Sequence, residues 1–230
     1  VYTKSIDAKE ARNDIISGMD YAQIMRKYNL SMKGLISLFD KMISSGAIGL
    51  AELGDKFPSA DSPLVIRNQF TDGIIFSAKA DSIRDLVELA ISEGVDLSEA
   101  DLTSANLAGL QGTRSILSGA MLFRANFNGA DLSEADLVGA ELSEARIANA
   151  ILIGADLSNA NLSQADARGA NFSRARLFQT NLDNARLQKA DFRDADLTES
   201  RIVGADVTDA LFEGARLDNV LRDHVQSDRC

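Results

Sequence analysis

NLSQADARGANFSRARLFQTNLDNARLQKADFRDADL, residues Asn161 to Leu197, decides the fold. An alanine, or at Thr180 a threonine, returns every five residues, and an apolar residue stands two places after it. An α-helix turns about 100° per residue, so this period would scatter the leucines around its axis. A flat strand alternates its faces, so an odd repeat would flip the leucines each time. The spacing therefore predicts short extended pieces joined by corners. In each piece the small residue and the large one both point inward.

The same rhythm extends in both directions without a slip. Its apolar centres run from Leu97 through Leu102 and Leu107 to Phe212 and Leu217. Below, the centre of a unit is position i, so the alanine is i−2. Four sides close a coil of twenty residues, and stacked coils form a β-solenoid. Sorting the centres by twenty gives four ladders. The first reads Leu97, Leu117, Leu137, Leu157, Leu177, Leu197, Leu217, and the fourth ends in Phe172, Phe192, Phe212. Uniform ladders are what coil-on-coil packing predicts. Alanine at i−2 follows from a narrow interior, which admits one bulky group per side. Glycine recurs at i+2, as at Gly109, Gly129 and Gly169, where a tight corner needs positive φ.

The runs ADLSEADLVGAELSEA, Ala130 to Ala145, and ANLSQADARGANF, Ala160 to Phe172, resemble the pentapeptide repeat family, whose motif is A(D/N)LXX. That resemblance covers Val95 to Leu217. It implies a right-handed quadrilateral β-helix of about six coils, near 30 Å long at the strand spacing. Leu110, Gly112 and Ser115 depart from the motif and point to a bulge or loosened corner in the first coil.

Outside the repeat the texture changes. Residues 1–53 have a helical rhythm and are expected to form a three-helix module. Asp20 and Ser31 are its N-caps and Gly46 its stop. The stretch Gly18 to Ile48 resembles a helix-turn-helix, similar to small helical modules found beside other bacterial domains. Residues 54–94 read as a linker, a strand or hairpin in QFTDGIIFSA around Asp72-Gly73, and a helix from Ser82 to Gly94. That helix carries Ile83, Leu86, Val87 and Ala90 on one stripe and should lid the first coil. Residues 95–219 are the β-helix, and 220–230 a short polar tail. The expected fold class is thus mainly β, with a small all-α module in front.

Composition narrows the function. The net charge is −10, which disfavours wholesale binding to nucleic acid or anionic membrane. His224 is the one histidine and Cys230 the one cysteine, so neither a His/Cys metal site nor a nucleophile–base pair is expected. No intrachain disulfide is possible, which fits a cytoplasmic protein. No apolar run approaches the length of a membrane span. The expectation is a non-enzymatic bacterial scaffold without cofactor, binding a protein partner or a second copy of itself.

Three surfaces are candidates. An acidic face of the first ladder carries Asp96, Glu99, Asp136, Asp156, Asp196, Glu199 and Asp218 against Arg176 and Arg216. The third ladder is slightly basic, with Arg146, Arg168, Arg186 and Lys189 against Asp166, Asp206 and Asp209. An apolar contact patch is offered by Ile116, Met121, Phe123, Ile151 and Ile153, at outward positions that are normally polar. Some members of the resembled family mimic duplex DNA and occupy the DNA site of gyrase and related topoisomerases; the acidic face suits that alternative. A DNA-tethered regulator is the other alternative. It would use Arg26, Lys27, Lys33, Ser37 and Lys41 of the helix-turn-helix. Seven basic against five acidic residues in positions 1–50 is a small excess for phosphate contact.

Overall fold

The computed structural model describes residues 6–48 and 62–223. Positions 1–5 and 49–53 of the expected helical module, positions 54–61 of the expected linker, and the end of the tail with His224 and Cys230 lie outside the described residues.

Helix α1, Ala8–Ser17, starts at Asp7, whose carboxylate accepts the Lys9 and Glu10 N–H groups, and stops at Gly18 with φ 95°. Helix α2, Tyr21–Tyr28, opens with a capping box: Gln23 N–H donates to Asp20, and Asp20 N–H donates to Gln23 Oε1. Such caps satisfy N–H groups that have no partner within the helix. Asn29, in the left-handed region, ends α2. Helix α3, Met32–Ser44, is capped by Ser31 and followed by Gly46 at φ 71°. The three helices bury Ala11, Ile15, Ile24, Met25, Leu35, Phe39 and Met42.

Strands β1, Leu64–Arg67, and β2, Ile74–Ala78, form an antiparallel hairpin, with Leu64 opposite Ala78. Gln69 to Gly73 form its turn, which places the hairpin around Asp72-Gly73 as the sequence offered. Asn68 Oδ1 accepts the N–H groups of Phe70 and Thr71, and Asp72 takes φ 55°. Helix α4, Ile83–Ser92, is capped by Ser82 and leaves through Gly94 at φ 70°. Ile83, Leu86, Val87 and Ala90 are all buried.

From Asp101 to Arg201 each i−1 residue pairs in parallel with the residue twenty further on, as in Asp136 with Asp156 and Asp156 with Arg176. The N–H at i donates to a carbonyl of the next coil, as in Leu157 to Arg176 at 2.7 Å. Each corner is a β-turn closed from i+3 back to i, as in Ala160 N–H to Leu157 O at 3.0 Å. Its third residue, i+2, has positive φ whether or not it is glycine; Arg114, Glu134, Arg174 and Lys189 all lie between 56° and 61°. The leucine ladder is fully buried through Leu197, and the rings of Phe172, Phe192 and Phe212 stack at 4.9 and 5.1 Å. Leu217 is 41% exposed, because no further coil covers it among the described residues.

The loosened corner expected at Leu110, Gly112 and Ser115 is absent, which corrects that reading. Gln111 pairs with Asp131 in register, and Gly112 N–H donates to Asp131 O at 2.7 Å. Leu110 is completely buried at i−2, where alanine is usual, and Gly112 has no side chain at i, where leucine is usual. The two positions have exchanged volumes. A Cβ on Gly112 would lie 2.8 Å from Leu132 Cδ2 and 3.2 Å from Leu110 Cδ2.

The hairpin covers an edge of the first coil. Asn68 pairs antiparallel with Ala100, Asp101 N–H donates to Arg67 O, and Gln69 N–H donates to Glu99 O. Helix α4 lies against the same coil, with Arg84 donating to Ala108 O and Glu88 accepting the Gln111 N–H. The helical module is attached to this cap. Arg26 donates to the carbonyl and carboxylate of Asp101, Arg67 pairs with Asp20 at 2.8 Å, and Met32 N–H donates to Asp81 O. Arg26 retains only 10% side-chain exposure.

Candidate interaction surfaces

The outward carboxylates first serve their own backbone. At i−1 an Asp or Asn oxygen accepts the N–H of i+1, as in Ser98 to Asp96, Val138 to Asp136, Ser158 to Asp156 and Thr198 to Asp196. Asn161, Asn171 and Asn181 do the same for Ser163, Ser173 and Asp183. This N–H sits in the corner, where no backbone carbonyl of a neighbouring coil accepts it; at Ala148 and Val203 a side-chain oxygen of the preceding coil does so instead. The Asx hydrogen bond supplies the missing acceptor, which explains why Asp and Asn fill this position. Their recurrence at i−1 was the available signal, and reading them as surface charge missed it.

Neighbouring hydroxyl and guanidinium groups, with these N–H groups, hold several carboxyls below the usual aspartate range. The Ser133 hydroxyl and N–H do so for Asp131, the Thr198 hydroxyl for Asp196, the Thr208 hydroxyl for Asp206, and the Arg168 and Arg193 guanidinium groups for Asp166 and Asp191. A carboxyl held lower in the folded chain than in the unfolded one stabilises at pH above its ordinary value, near 3.8. That contribution is lost as pH falls through the folded-state value. The urea midpoint is therefore expected to hold from pH 7 to 5 and to drop below about pH 4. Asp131→Asn combined with Asp206→Asn keeps the oxygen acceptors and should lessen that drop, with Asp166, Asp191 and Asp196 left to titrate. An equally steep acid loss in the double variant would sink this account.

On the acidic ladder the two arginines pair with carboxylates of the preceding coil. Ile116, Asp136, Asp156, Arg176, Asp196 and Arg216 form one column. Arg176 reaches back to Asp156 at 3.3 Å and Arg216 to Asp196 at 3.4 Å. Glu199 accepts a hydrogen bond from Gln179 at 2.7 Å, and Glu99 one from Asn68 at 3.0 Å. In the third ladder Arg146, Asp166, Arg186 and Asp206 alternate in one column. Arg168 grips Asp166 through two 2.7 Å bonds, and Lys189 occupies a corner at φ 60°.

The apolar candidates do not form one patch. Met121 and Phe123 flank Leu122 on the second ladder, and Ile116 precedes Leu117 on the neighbouring first ladder. Ile151 and Ile153 flank Leu152 on the fourth ladder, which is not adjacent to the second around the coil. Ile116, Ile151 and Ile153 are 36–40% exposed. Phe123 packs under the Arg124 guanidinium at 4.6 Å. Phe70, at the tip of the hairpin, is 75% exposed and was not singled out from the sequence.

On the helical module Lys33, Ser37 and Lys41 are exposed on one stripe of α3. Arg26 is engaged with Asp101. Lys27 is held by Asp14 at 2.7 Å and Glu10 at 3.0 Å. Among the described residues no group of histidine, cysteine and carboxylate side chains could hold a metal ion, and no helix is long and apolar enough to cross a membrane.

The chain matches the family model described as pentapeptide repeats (8 copies) over residues 96–139, and the one described as pentapeptide repeat region over residues 145–221. Curated proteins gave no match. Among solved structures, a pentapeptide repeat protein from Nostoc PCC 7120 is 32% identical, with 43% of this chain and 84% of that chain covered and a TM-score of 0.29. A pentapeptide repeat protein of the Arabidopsis thaliana thylakoid lumen is 37% identical, with 50% and 66% covered and a TM-score of 0.24. QnrB1, a plasmid-mediated fluoroquinolone resistance protein, is 24% identical, with 56% and 79% covered and a TM-score of 0.31. The unbroken five-residue register, the twenty-residue pairing and the two family models agree: the chain belongs to the pentapeptide repeat family.

Proposed function

We propose that this protein is a non-enzymatic, cytoplasmic scaffold that binds a protein partner by shape and charge. Its rod is a right-handed, four-sided β-helix of about six coils, with side chains repeating at the strand spacing. One observation carries the reading: outward side chains are tied to the frame. Asx bonds hold the i−1 residues, and pairs twenty residues apart join successive coils, such as Arg114 with Glu134 and Arg124 with Glu144. A surface ordered before contact loses less entropy on binding. The helical module, joined to the cap through Arg26 and Arg67, extends that surface.

The gyrase-directed DNA mimic is the weaker alternative. Duplex DNA carries one negative charge per ~1.7 Å of axis. On the acidic column, Asp96, Asp136, Asp156 and Asp196 are offset by Arg176 and Arg216. A DNA-tethered regulator would work through Lys33, Ser37 and Lys41, with Arg26 and Lys27 already committed within the protein.

The test is a three-part binding comparison with the full chain. Gyrase supercoiling should be unchanged at high micromolar protein, and duplex DNA should not bind at physiological salt. A partner captured from the host should be lost with Ile116→Asp plus Phe123→Asp, in a variant that melts as wild type does. Inhibited supercoiling would replace the scaffold by the mimic, and salt-dependent DNA binding would replace it by the regulator.

A further inference from the structure

A cavity of about 250 Å³ lies where the end of α2, the starts of α3 and α4, and the first coil meet. Its polar lining is Arg26, Asn29, Ser31, Ser82, Arg84 and Asn106. Among the described residues no carboxylate lines it. Both arginines contact carboxylates outside the lining: Asp101 holds Arg26 at 3.1 Å, while Asp85 and Glu88 stand 3.5 and 3.9 Å from Arg84. Both carboxylate contacts of Arg84 are loose, its bond to Ala108 O is 3.2 Å long, and its side chain is 44% exposed. Arg84 can therefore turn toward a ligand without leaving a carboxylate buried and unpaired.

The other groups add donors. Asn106 Oδ1 accepts from Asn126 at 2.9 Å, which leaves the Asn106 amide N–H groups free to donate. Ser31 and Ser82 accept the N–H groups of Gly34 and Asp85, so each hydroxyl keeps its proton for another acceptor. Both serines begin helices, and those helix starts lie side by side through the Met32 to Asp81 hydrogen bond. Their dipoles add positive potential to the two guanidinium groups. The volume is below the ~300–1,000 Å³ of sites for drug-sized ligands. It equals the bulk share of about eight waters, enough for a small oxyanion.

We propose that this cavity is an oxyanion site, taking inorganic phosphate or the phosphate end of a small phosphomonoester. Because α2, α3, α4 and the coil each contribute to its wall, the bound anion fastens the helical module to the capped end of the β-helix.

Titration calorimetry on the full chain tests this, with inorganic phosphate and glycerol 3-phosphate as probes at constant ionic strength set by chloride. Saturable binding of at least one probe is expected, with a raised melting temperature. Arg84→Gln should weaken it about tenfold, the loss of one charge-assisted contact. Asn106→Ala should weaken it severalfold, and Arg174→Gln, on the distant β-helix, should leave it unchanged. Whichever probe binds more tightly identifies the source of the phosphate group and upholds the site. No saturable binding of either probe would overturn the proposal, as would wild-type affinity in both Arg84→Gln and Asn106→Ala. An equal loss in Arg174→Gln would also overturn it, by showing diffuse surface attraction.

Discussion

Leu157→Asp is expected to abolish cooperative unfolding of the β-helix, while Asp156→Asn, one residue away, leaves the melt nearly unchanged. Leu157 is 0% exposed, in the ladder between Leu137 and Leu177. Removing its buried side chain forfeits roughly 1.5–3 kcal/mol. A carboxyl group in its place would have to stay neutral at pH 7, at a cost of about 4 kcal/mol. Together these approach the whole stability of an ordinary domain, about 5–15 kcal/mol. A solenoid coil touches only its neighbours, so a break in mid-stack removes couplings on both sides. Asp156→Asn keeps the oxygen that accepts the Ser158 N–H and loses only the pairing with Arg176, which is 65% exposed. Such a pair is worth about 0–1 kcal/mol. Circular dichroism during urea unfolding at pH 7 reads both variants. A wild-type midpoint for Leu157→Asp would remove the inward ladder from the account.

How much of this was legible in the sequence depends on how far apart the interacting residues lie. The coil was readable because every unit repeats the same local instruction, and each side chain's neighbour is simply twenty residues along. Asp20, Ser31 and Gly46 were readable because caps are local too. Strand β1 was not picked out: it is four residues long and sits in a mixed stretch just after Pro63. Attachment of the helical module was invisible, because Arg26 meets Asp101 and Arg67 meets Asp20 across 75 and 47 residues with no shared pattern. The apolar candidates were grouped by chemistry, whereas the coil sorts them by position around its axis. That separates Ile151 and Ile153 from Met121 and Phe123. The non-glycine corners were also hidden, since residues such as Arg174 give no local sign of positive φ.

The departure at Leu110 and Gly112 yields the sharpest test of the packing rule. If a single bulky group fills each side, Leu110→Ala should empty that side and cost about 2–5 kcal/mol. Gly112→Leu should overfill it, since even a Cβ there meets Leu132 at 2.8 Å, and should cost about 1–3 kcal/mol. Gly112 lies outside the positive-φ set, so a leucine is not opposed by the backbone. Combining the two recreates the usual order, alanine then leucine, found one coil later at Ala130 and Leu132. Leu132 need then only shift to meet a leucine, as Leu152 meets Leu132 below. The double variant is expected within about 1.5 kcal/mol of wild type, which makes the coupling energy large and favourable. Urea unfolding of the four proteins measures it. Additive losses would mean that the two positions do not share one space, and that the first coil tolerates its departures for a reason other than exchanged volume.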